Sequence, residues 1–297
     1  MTATTTRPAP RRHLRPLKGV RVLSLALNLP GPAALMRLAA LGARCVKAEP
    51  PAGDPMGHYN SAAFAELHEG VKRITLDLKT EVGQKALHRE LAKADVLLTS
   101  FRPSALTKLG LGWKALHAAY PQLSMVAIVG APGARAEEPG HDLTYLADNG
   151  LVTGLDLPPT LYADMGGALM ATEAVLKAQL LRQSSGQGVF QEVALSDAAA
   201  WLATPRRWGM TLPDGAVGGA HAGYRVYACQ DGRVAMAALE PHFAAALCAA
   251  AGLPPSDVRT MMTPATREAI ARFLASRTRA ELDALAVAQD IPLHTLP

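Results

Sequence analysis

Strand-length apolar runs alternate with helical segments along residues 17–200, and this alternation constrains the fold more than any other feature. The apolar runs cover residues 20–25, 43–48, 74–78, 96–98, 123–128 and 189–195, and the intervening helical segments include 33–41, 82–92 and 165–182. Parallel strands need crossover connections, whereas antiparallel strands can be joined by tight turns. We therefore expect an α/β fold with a Rossmann-like parallel sheet that is covered by helices.

The pattern changes after Ser196. Residues 201–220 contain prolines and several glycines, which are typical of a linker. Two short apolar runs, 224–228 and 234–237, then flank a turn with the sequence Gln-Asp-Gly-Arg, and helical segments follow over 243–251, 264–276 and 279–289. The predicted organisation is a basic arm (1–16), a large α/β domain (17–200), a linker (201–220) and a smaller α+β domain (221–297).

Composition narrows the class of protein. Hydrophobic residues make up 49% of the chain and charged residues 19%, so a sizeable core can form. No apolar run reaches the ~18 residues that cross a bilayer, and the polar, basic start lacks the apolar region of a signal peptide. Aromatic residues are only 5%, with no basic stripe between stacking rings. We expect a cytoplasmic protein without a membrane or nucleic-acid partner, whose net charge of +5 suits an anionic small molecule.

The first strand–turn–helix unit has the outline of a dinucleotide-binding motif but not its turn. The turn at residues 27–32 reads Leu-Asn-Leu-Pro-Gly-Pro and contains a single glycine. A bound pyrophosphate needs close approach of bare backbone at several positions, and the two prolines also remove backbone donors. A nicotinamide cofactor is therefore not expected, and no metal site is predicted.

A series of segments, taken in order, resembles the family III CoA-transferase (CaiB/BaiF) superfamily. The segments are 17–23 (LKGVRVL), 46–51 (VKAEPP), 72–79 (KRITLDLK), 101–103 (FRP), 109–112 (LGLG), 140–142 (GHD), 164–167 (DMGG), 185–188 (SGQG) and 239–243 (LEPHF). Their order and spacing, rather than any single piece, carry the resemblance. It also covers the α-methylacyl-CoA racemases, in which Gly-His-Asp is followed by a tyrosine, as Tyr145 follows here.

The resemblance implies a racemase that acts on 2-methylacyl-CoA thioesters by 1,1-proton transfer through an enolate. Such a reaction needs two acid–base groups, one on each face of the α-carbon. The resemblance assigns these roles to His141 and Asp164, with Glu240 orienting His141 from the smaller domain. Asp142, Tyr145, Gly166 and Gly167 are expected to support them, the glycine segment through backbone amides that stabilise the enolate oxygen.

The resemblance also implies how coenzyme A would be held. It enters as part of the substrate, so no permanently bound cofactor is expected. Arg102 lies in the turn that the family places beside the CoA phosphates, and Arg37, Lys72 and Arg73 are further candidate cations. We expect an acyl-CoA as the small-molecule partner and a second copy of the chain in a homodimer.

Two alternatives remain open. In a CoA-transferase, Asp164 would be the nucleophile that attacks the acyl-CoA carbonyl, and His141 would be incidental. Alternatively, the chain resembles a C-terminally shortened relative, because members of the family run some tens of residues further. Such a protein would have an incomplete small domain, catalyse weakly and act as a binding or assembly partner.

Overall fold

A six-stranded parallel sheet forms the centre of the first of two compact units. The computed structural model describes residues 14–254 and 257–297, with the first unit ending at Leu202 and the second beginning at Ala203. The strands are β1 (Arg21–Ser24), β2 (Arg44–Glu49), β3 (Lys72–Thr75), β4 (Val96–Thr99), β5 (Ser124–Val129) and β6 (Phe190–Ala194). Their order is β3-β2-β1-β4-β5-β6, and every neighbouring pair is parallel. The predicted α/β fold class is confirmed.

The strand order creates a crevice between β1 and β4. Chain connections leave in opposite directions from these two strands, so their carboxyl ends form the switch point at which doubly wound sheets bind ligands. Every residue of β4 and β5 is buried, because helices cover both faces of the sheet. The sheet is therefore a buried base, and the loops after β1 and β4 lie at the edge where doubly wound sheets bind ligands.

Helices and two short 3-10 segments complete the described chain. They are α1 (Pro30–Ala40), α2 (Met56–Tyr59), α3 (Ser61–Leu67), α4 (Glu81–Leu91), α5 (Pro103–Lys108), α6 (Trp113–Ala119), a 3-10 helix (Gly133–Glu137), α7 (Asp142–Asp148), α8 (Tyr162–Ser185), α9 (Leu195–Leu202), α10 (Thr204–Arg207), a 3-10 helix (Ala216–Gly218), α11 (Pro241–Ala250), α12 (Val258–Met261), α13 (Pro264–Ala275) and α14 (Arg279–Gln289). The longest, α8, packs against α1 and α9. Within residues 14–254 and 257–297, no helix has the length and apolarity needed to cross a membrane.

The second unit contains a small antiparallel sheet covered by helices on one face. Its strands are β7 (Tyr224–Cys229), β8 (Gly232–Ala237) and β9 (Leu293–Leu296), in that order across the sheet. Tyr227, Val234 and Met236 point from the sheet into a core shared with Leu247 of α11 and Leu274 of α13. The predicted hairpin and the three predicted helices are all present in this unit.

Four features differ from the sequence-based expectations or lie beyond them. Strand β3 covers Lys72–Thr75 rather than 74–78, because its partner β2 ends at Glu49, opposite Thr75. The predicted linker 201–220 contains α10 and a 3-10 helix, and the unexpected β9 pairs with β8. Most of the predicted basic arm (1–16) lies outside the described residues, which begin at residue 14.

Candidate active site

Asp142 connects the beginnings of two helices and so brings His141 and Asp164 into one site. Asp142 is the buried first residue of α7, and His141 is the residue just before that helix. The Asp142 Oδ1 atom accepts a hydrogen bond of 3.0 Å from the backbone amide of Asp164, in the first turn of α8. A carboxylate at a helix start satisfies an amide that has no partner within the helix. The same contact fixes the position of Asp164 relative to His141.

The environment of Asp164 changes its acid–base behaviour. Burial, together with the nearby negative charge of Asp142, raises the pKa of the Asp164 carboxyl from 3.8 to about 6, while the charge of a protonated His141 acts in the opposite direction. A carboxyl with a pKa in this range is present in both protonation states near neutral pH. It can therefore serve as a general base and as a general acid.

His141 combines a fixed backbone with an exposed side chain. Its amide donates to Thr144 Oγ1 at 3.1 Å, and its carbonyl accepts from the same hydroxyl at 2.7 Å. The residue is exposed, and the two hydrogen bonds above involve its backbone. The ring is therefore available to a substrate.

The buried Tyr145 ring packs against the backbone of two glycines, Gly130 and Gly140. A Cβ atom added to Gly130 would lie 2.3 Å from the Tyr145 Oη atom, and one added to Gly140 would lie 2.6 Å from it. Burial and then the charge of Asp164 raise the pKa of Tyr145, and Arg102 opposes them. The Gly-His-Asp sequence thus needs its glycine because the buried tyrosine ring occupies the space beside it.

Of the four cations predicted to bind CoA, Arg102 lies nearest to this site. It follows β4 at the sheet's switch point, where it caps the beginning of α5 and lies within electrostatic reach of Tyr145. Lys72 is the first residue of β3 and so lies at the opposite, amino edge of the sheet. Arg37 lies in the last turn of α1, which begins at the carboxyl edge and runs toward the amino edge. The Arg73 guanidinium packs over the Phe64 ring, 5.1 Å from its centroid.

The two glycines after Asp164 serve helix packing. A Cβ atom on Gly167 would lie 2.2 Å from Leu195 Cδ2, and one on Gly166 would lie 3.3 Å from Ala198 Cβ and from Leu202 Cδ1, so α9 approaches α8 at these positions. Both glycines lie in the second turn of α8, which begins at Tyr162 rather than at the predicted residue 165.

The earlier start of α8 also changes which backbone amides are free. The amide of Met165 already donates to the Leu161 carbonyl at 3.0 Å, and that of Asp164 donates to Asp142. Among the described residues, no acceptor contacts the amides of Tyr162 and Ala163. These two amides replace the expected donors at 165–167 as candidates to bind an oxyanion.

Glu240 lies in the second unit, where it is the exposed residue that precedes α11. Its carbonyl accepts from the amide of Ala244 at 2.9 Å, which is the ordinary contact of a helix start. The predicted role of its carboxylate toward His141 remains a prediction.

A buried charged cluster that the sequence analysis did not identify supports the turn after β1. The fully buried Lys47 Nζ forms a short contact with Asp54 and lies 2.9 Å from His68 Nε2 and 3.4 Å from Glu49 Oε1. The Asp54 carboxylate also accepts from the amide of Asn28 at 3.1 and 3.2 Å. Because Asn28 has a left-handed backbone with φ of 62°, this carboxylate stabilises a turn that would otherwise be strained.

Tyr59 connects this cluster to the site. Its side chain is 66% exposed, and burial of part of the ring, followed by the charges of Asp54 and Asp164, raises its pKa. Its hydroxyl is therefore within electrostatic reach of both carboxylates. The sequence carried one signal for the Lys47–Asp54 cluster: a lysine lies inside an apolar strand, and Gly53-Asp54 follows that strand.

A cavity of about 190 Å³ opens at the carboxyl ends of β1, β2 and β3. Leu25, Leu76, Phe101 and the stem of Lys79 are among its lining residues, with Glu49 at the end of β2. The cavity is mainly apolar and lies next to the loop that carries Arg102. An apolar cavity beside a cation would suit a ligand with a flat ring and a negatively charged substituent.

Comparison with known proteins gives consistent matches. A family model described as CoA-transferase family III matches residues 17–296. The chain is 37% identical to the succinyl-CoA–D-citramalate CoA-transferase of Chloroflexus aurantiacus, over 62% of this chain and 50% of that protein. It is 31% identical to the alpha-methylacyl-CoA racemase of Mus musculus, over 89% of this chain and 73% of that protein.

A solved structure agrees with these matches. The crystal structure of a hypothetical protein from Mycobacterium tuberculosis superimposes with a TM-score of 0.83 at 29% identity, over 94% of this chain and 82% of that chain. The matches to two of the curated relatives, at 50% and 52%, span about half of those proteins' own lengths.

Proposed function

Because the chain belongs to CoA-transferase family III, we propose that it is an enzyme acting on acyl-CoA thioesters, and that it racemises 2-methylacyl-CoA substrates. One observation supports the proposal: Asp142, the neighbour of His141, accepts a hydrogen bond from the Asp164 amide, and burial raises the pKa of the Asp164 carboxyl to about 6. Racemisation requires two such groups, because the proton leaves from one face of the α-carbon and returns to the other.

In the proposed reaction, one proton leaves one face of the α-carbon and another is delivered to the opposite face. For one enantiomer, neutral His141 removes the α-proton, and the electron pair of the broken C–H bond shifts to the thioester carbonyl to form an enolate. Protonated Asp164 then delivers its proton to the opposite face of the α-carbon, and the carbonyl re-forms. For the other enantiomer, the Asp164 carboxylate removes the proton and the imidazolium of His141 returns one. The amides of Tyr162 and Ala163 would stabilise the enolate oxygen, a contribution of about 3 kcal/mol per donor in other enzymes.

The coenzyme A part of the substrate would lie along the carboxyl edge of the sheet. The Arg102 guanidinium provides a positive charge for its phosphates at the switch point between β1 and β4. The apolar cavity next to it, with Phe101 and Lys79 in its lining, would hold the adenine ring. Arg37 and Lys72 do not take part in this arrangement, since they lie toward the other edge.

Deuterium exchange at the α-carbon tests the racemase directly. In deuterium oxide, 2-methylacyl-CoA should gain solvent label and lose optical purity without any added acid. His141→Ala and Asp164→Asn should each abolish the loss of optical purity, and each should take up label only from the enantiomer whose proton the remaining group removes. Asp156→Asn, at an exposed position in the loop before α8, should retain both changes for both enantiomers. Loss of optical purity that persists in either site variant would contradict the assignment.

A CoA-transferase is the second candidate, and it is favoured by the 37% identity to a CoA-transferase. In this reaction an Asp164 oxygen attacks the thioester carbon, the CoA thiolate leaves and an aspartyl–acyl anhydride forms. The thiolate then attacks the aspartyl carbonyl, which releases the acid and leaves an aspartyl-CoA thioester. An acceptor carboxylate next attacks that carbonyl to give a second anhydride, and the returning thiolate takes the new acyl group and frees Asp164. Acyl exchange with a free acid, without label at the α-carbon, would support this function over racemisation.

Three further parts of the proposal concern the protein's setting. We propose a homodimer in the cytoplasm, with no nucleic-acid or membrane partner. Binding of acyl-CoA without either activity would instead support the third function, a catalytically weak binding partner.

A further inference from the structure

The amino edge of the sheet carries a basic pocket that the proposed reaction does not use. The first residues of β1, β2 and β3 are Arg21, Arg44 and Lys72, and these neighbouring strand ends line a cavity of about 430 Å³. Lys93 and Glu90, from the end of α4 and the turn after it, line its other side. Lys72, which was predicted to hold CoA, thus belongs to a different cavity.

The acidic groups near this pocket already have partners. Glu90 Oε1 accepts from Lys93 Nζ at 2.8 Å, and this bond, with the charges of Lys93, Lys72 and Arg21, lowers the pKa of Glu90. Lys93, Lys72 and Arg21 therefore all lie within electrostatic reach of the Glu90 carboxylate.

Asp95, at the edge of the same region, is also neutralised. It accepts from the backbone amide of Arg21 and from the Arg182 guanidinium, each at 2.7 Å. In the part of the chain that the structure describes, the side chains of Arg21, Arg44 and Lys72 form no ion pair. Three unpaired cations in a concave site favour binding of a multiply charged anion.

We propose that this pocket binds a polyphosphate group, either as free pyrophosphate or as part of a nucleotide, at a site separate from the acyl-CoA site. Guanidinium and ammonium groups together suit phosphate oxygens, because Arg donates in pairs and Lys adds a compact charge. The lining also contains apolar groups, including Val46 and Ala94, against which the rest of a nucleotide can pack.

The alternative explanation for these cations is structural. Helices of a parallel α/β fold end at the amino edge of the sheet, and basic residues stabilise the negative end of a helix dipole. That role affects folding stability and does not require anion binding. Measuring both quantities on the same variants separates the two explanations.

Calorimetric titration of the full chain with pyrophosphate and with ADP tests the proposal. At low ionic strength the wild-type protein should bind one equivalent, and raising the salt about tenfold should weaken binding about tenfold, because exposed charges are screened. The double variant Arg44→Gln/Lys72→Gln should bind at least about tenfold more weakly. Lys114→Gln, which removes an exposed lysine on α6, should bind like the wild type. Tighter binding of ADP would identify a nucleotide as the ligand, and equal binding would identify the phosphates alone; both results support the site.

The proposal would be overturned if the wild type did not bind pyrophosphate at low salt. It would also be overturned if the double variant kept its affinity, including the case in which its melting temperature is lowered. A competition experiment distinguishes this site from the proposed active site. Protein saturated with pyrophosphate should bind acyl-CoA with unchanged affinity, and Asp164→Asn should retain pyrophosphate binding. Displacement of pyrophosphate by coenzyme A in a one-to-one ratio would show a single shared site and would refute the proposal, whatever the outcome of the racemase assay.

Discussion

At the residue scale, the protonation of Asp164 links the chemistry of the site to folding. The folded-state pKa of about 6 lies above the reference value of 3.8, so the folded protein binds this proton more tightly than the unfolded chain does. The contribution of Asp164 to the free energy of unfolding should therefore fall as the pH rises from about 4 to about 6 and stay lower above that range. At neutral pH the ionised Asp164 carboxylate therefore lowers the free energy of unfolding. Such a cost is expected of an acid–base group whose pKa is shifted by burial.

Replacing this carboxyl should stabilise the protein at neutral and basic pH. Asp164→Asn removes the buried charge, so its free energy of unfolding at about pH 8 should exceed that of the wild type by about 1–3 kcal/mol, from a shift of about two pKa units. Near pH 4 the difference should disappear, because the wild-type group is then protonated. Urea unfolding at both pH values measures this, with Asp156→Asn as the exposed control. Equal stabilisation at both pH values would rule out a raised pKa as the cause.

The Lys47–Asp54 pair gives a second prediction at this scale. Lys47→Met leaves the buried Asp54 carboxylate without its cation and should lower the free energy of unfolding by about 3–5 kcal/mol. The double variant Lys47→Met/Asp54→Asn also removes the Asp54 charge, so that Glu49 alone lacks its cation, and it should recover part of this loss. Denaturant midpoints of the single and double variants give the comparison. A double variant less stable than the single one would show that Asp54 acts mainly through its bonds to the turn at Asn28.

His141 and Asp164 were predicted from the sequence as site residues, whereas the buried Lys47 was not. The first two stand in short motifs whose neighbours are local, such as Gly140 and Asp142. The burial of Lys47 depends on His68, 21 residues further along, and on a carboxylate beyond the end of its strand. A lysine alone reads as a solvent-exposed cation. Its position inside an apolar strand was a signal of burial, but that signal did not indicate which groups it would contact.

At the element scale, the start of α8 decides which backbone amides are free at the candidate site. Leu161 precedes the helix and provides no capping side chain, so the sequence offered no start signal before Asp164. The side chain that satisfies this helix start comes instead from Asp142, 22 residues earlier. The existence of the helix was predictable from its periodicity, whereas its boundary depends on a contact between two elements.

The contact between α8 and α9 yields a prediction with a matched control. Gly167→Ala places a methyl group 2.2 Å from Leu195 Cδ2 and should destabilise the protein by about 1–3 kcal/mol through overpacking. Gly166→Ala meets its nearest atoms at 3.3 Å and gains up to about 1 kcal/mol of helix propensity, so it should be near neutral. Thermal or urea unfolding of the two variants measures the difference. Similar behaviour of both would mean that α9 shifts easily.

At the scale of the whole molecule, the six-stranded sheet followed from the sequence because its strands and helices alternate in chain order. The family resemblance that the sequence indicated is confirmed by the match over residues 17–296. Strand β9 was missed for the opposite reason: it follows four helices and pairs with β8, more than fifty residues earlier. Its sequence, Leu-His-Thr-Leu, is too short to indicate a strand without that partner.

The surface of the first unit provides the argument for a homodimer. Met165 and Leu169 on α8, and Trp201 and Leu202 on α9, are between 42% and 72% exposed, and the Leu202 side chain lies beside Gly166, which joins them into one apolar patch. Large contiguous apolar patches are uncommon on monomers, and a patch of this kind can pair with itself across a two-fold axis.

Trp201→Glu should therefore weaken self-association by at least about tenfold, because a tryptophan contributes one of the largest contact areas of any side chain. Sedimentation velocity over a range of protein concentrations measures the effect. Val287→Glu introduces the same charge at an 88% exposed position on α14 and should leave association unchanged. A wild-type chain that sediments as a monomer at every concentration would refute the homodimer. If both variants weakened self-association equally, the cause would be the added negative charge. A specific interface at Trp201 would be affected by Trp201→Glu alone.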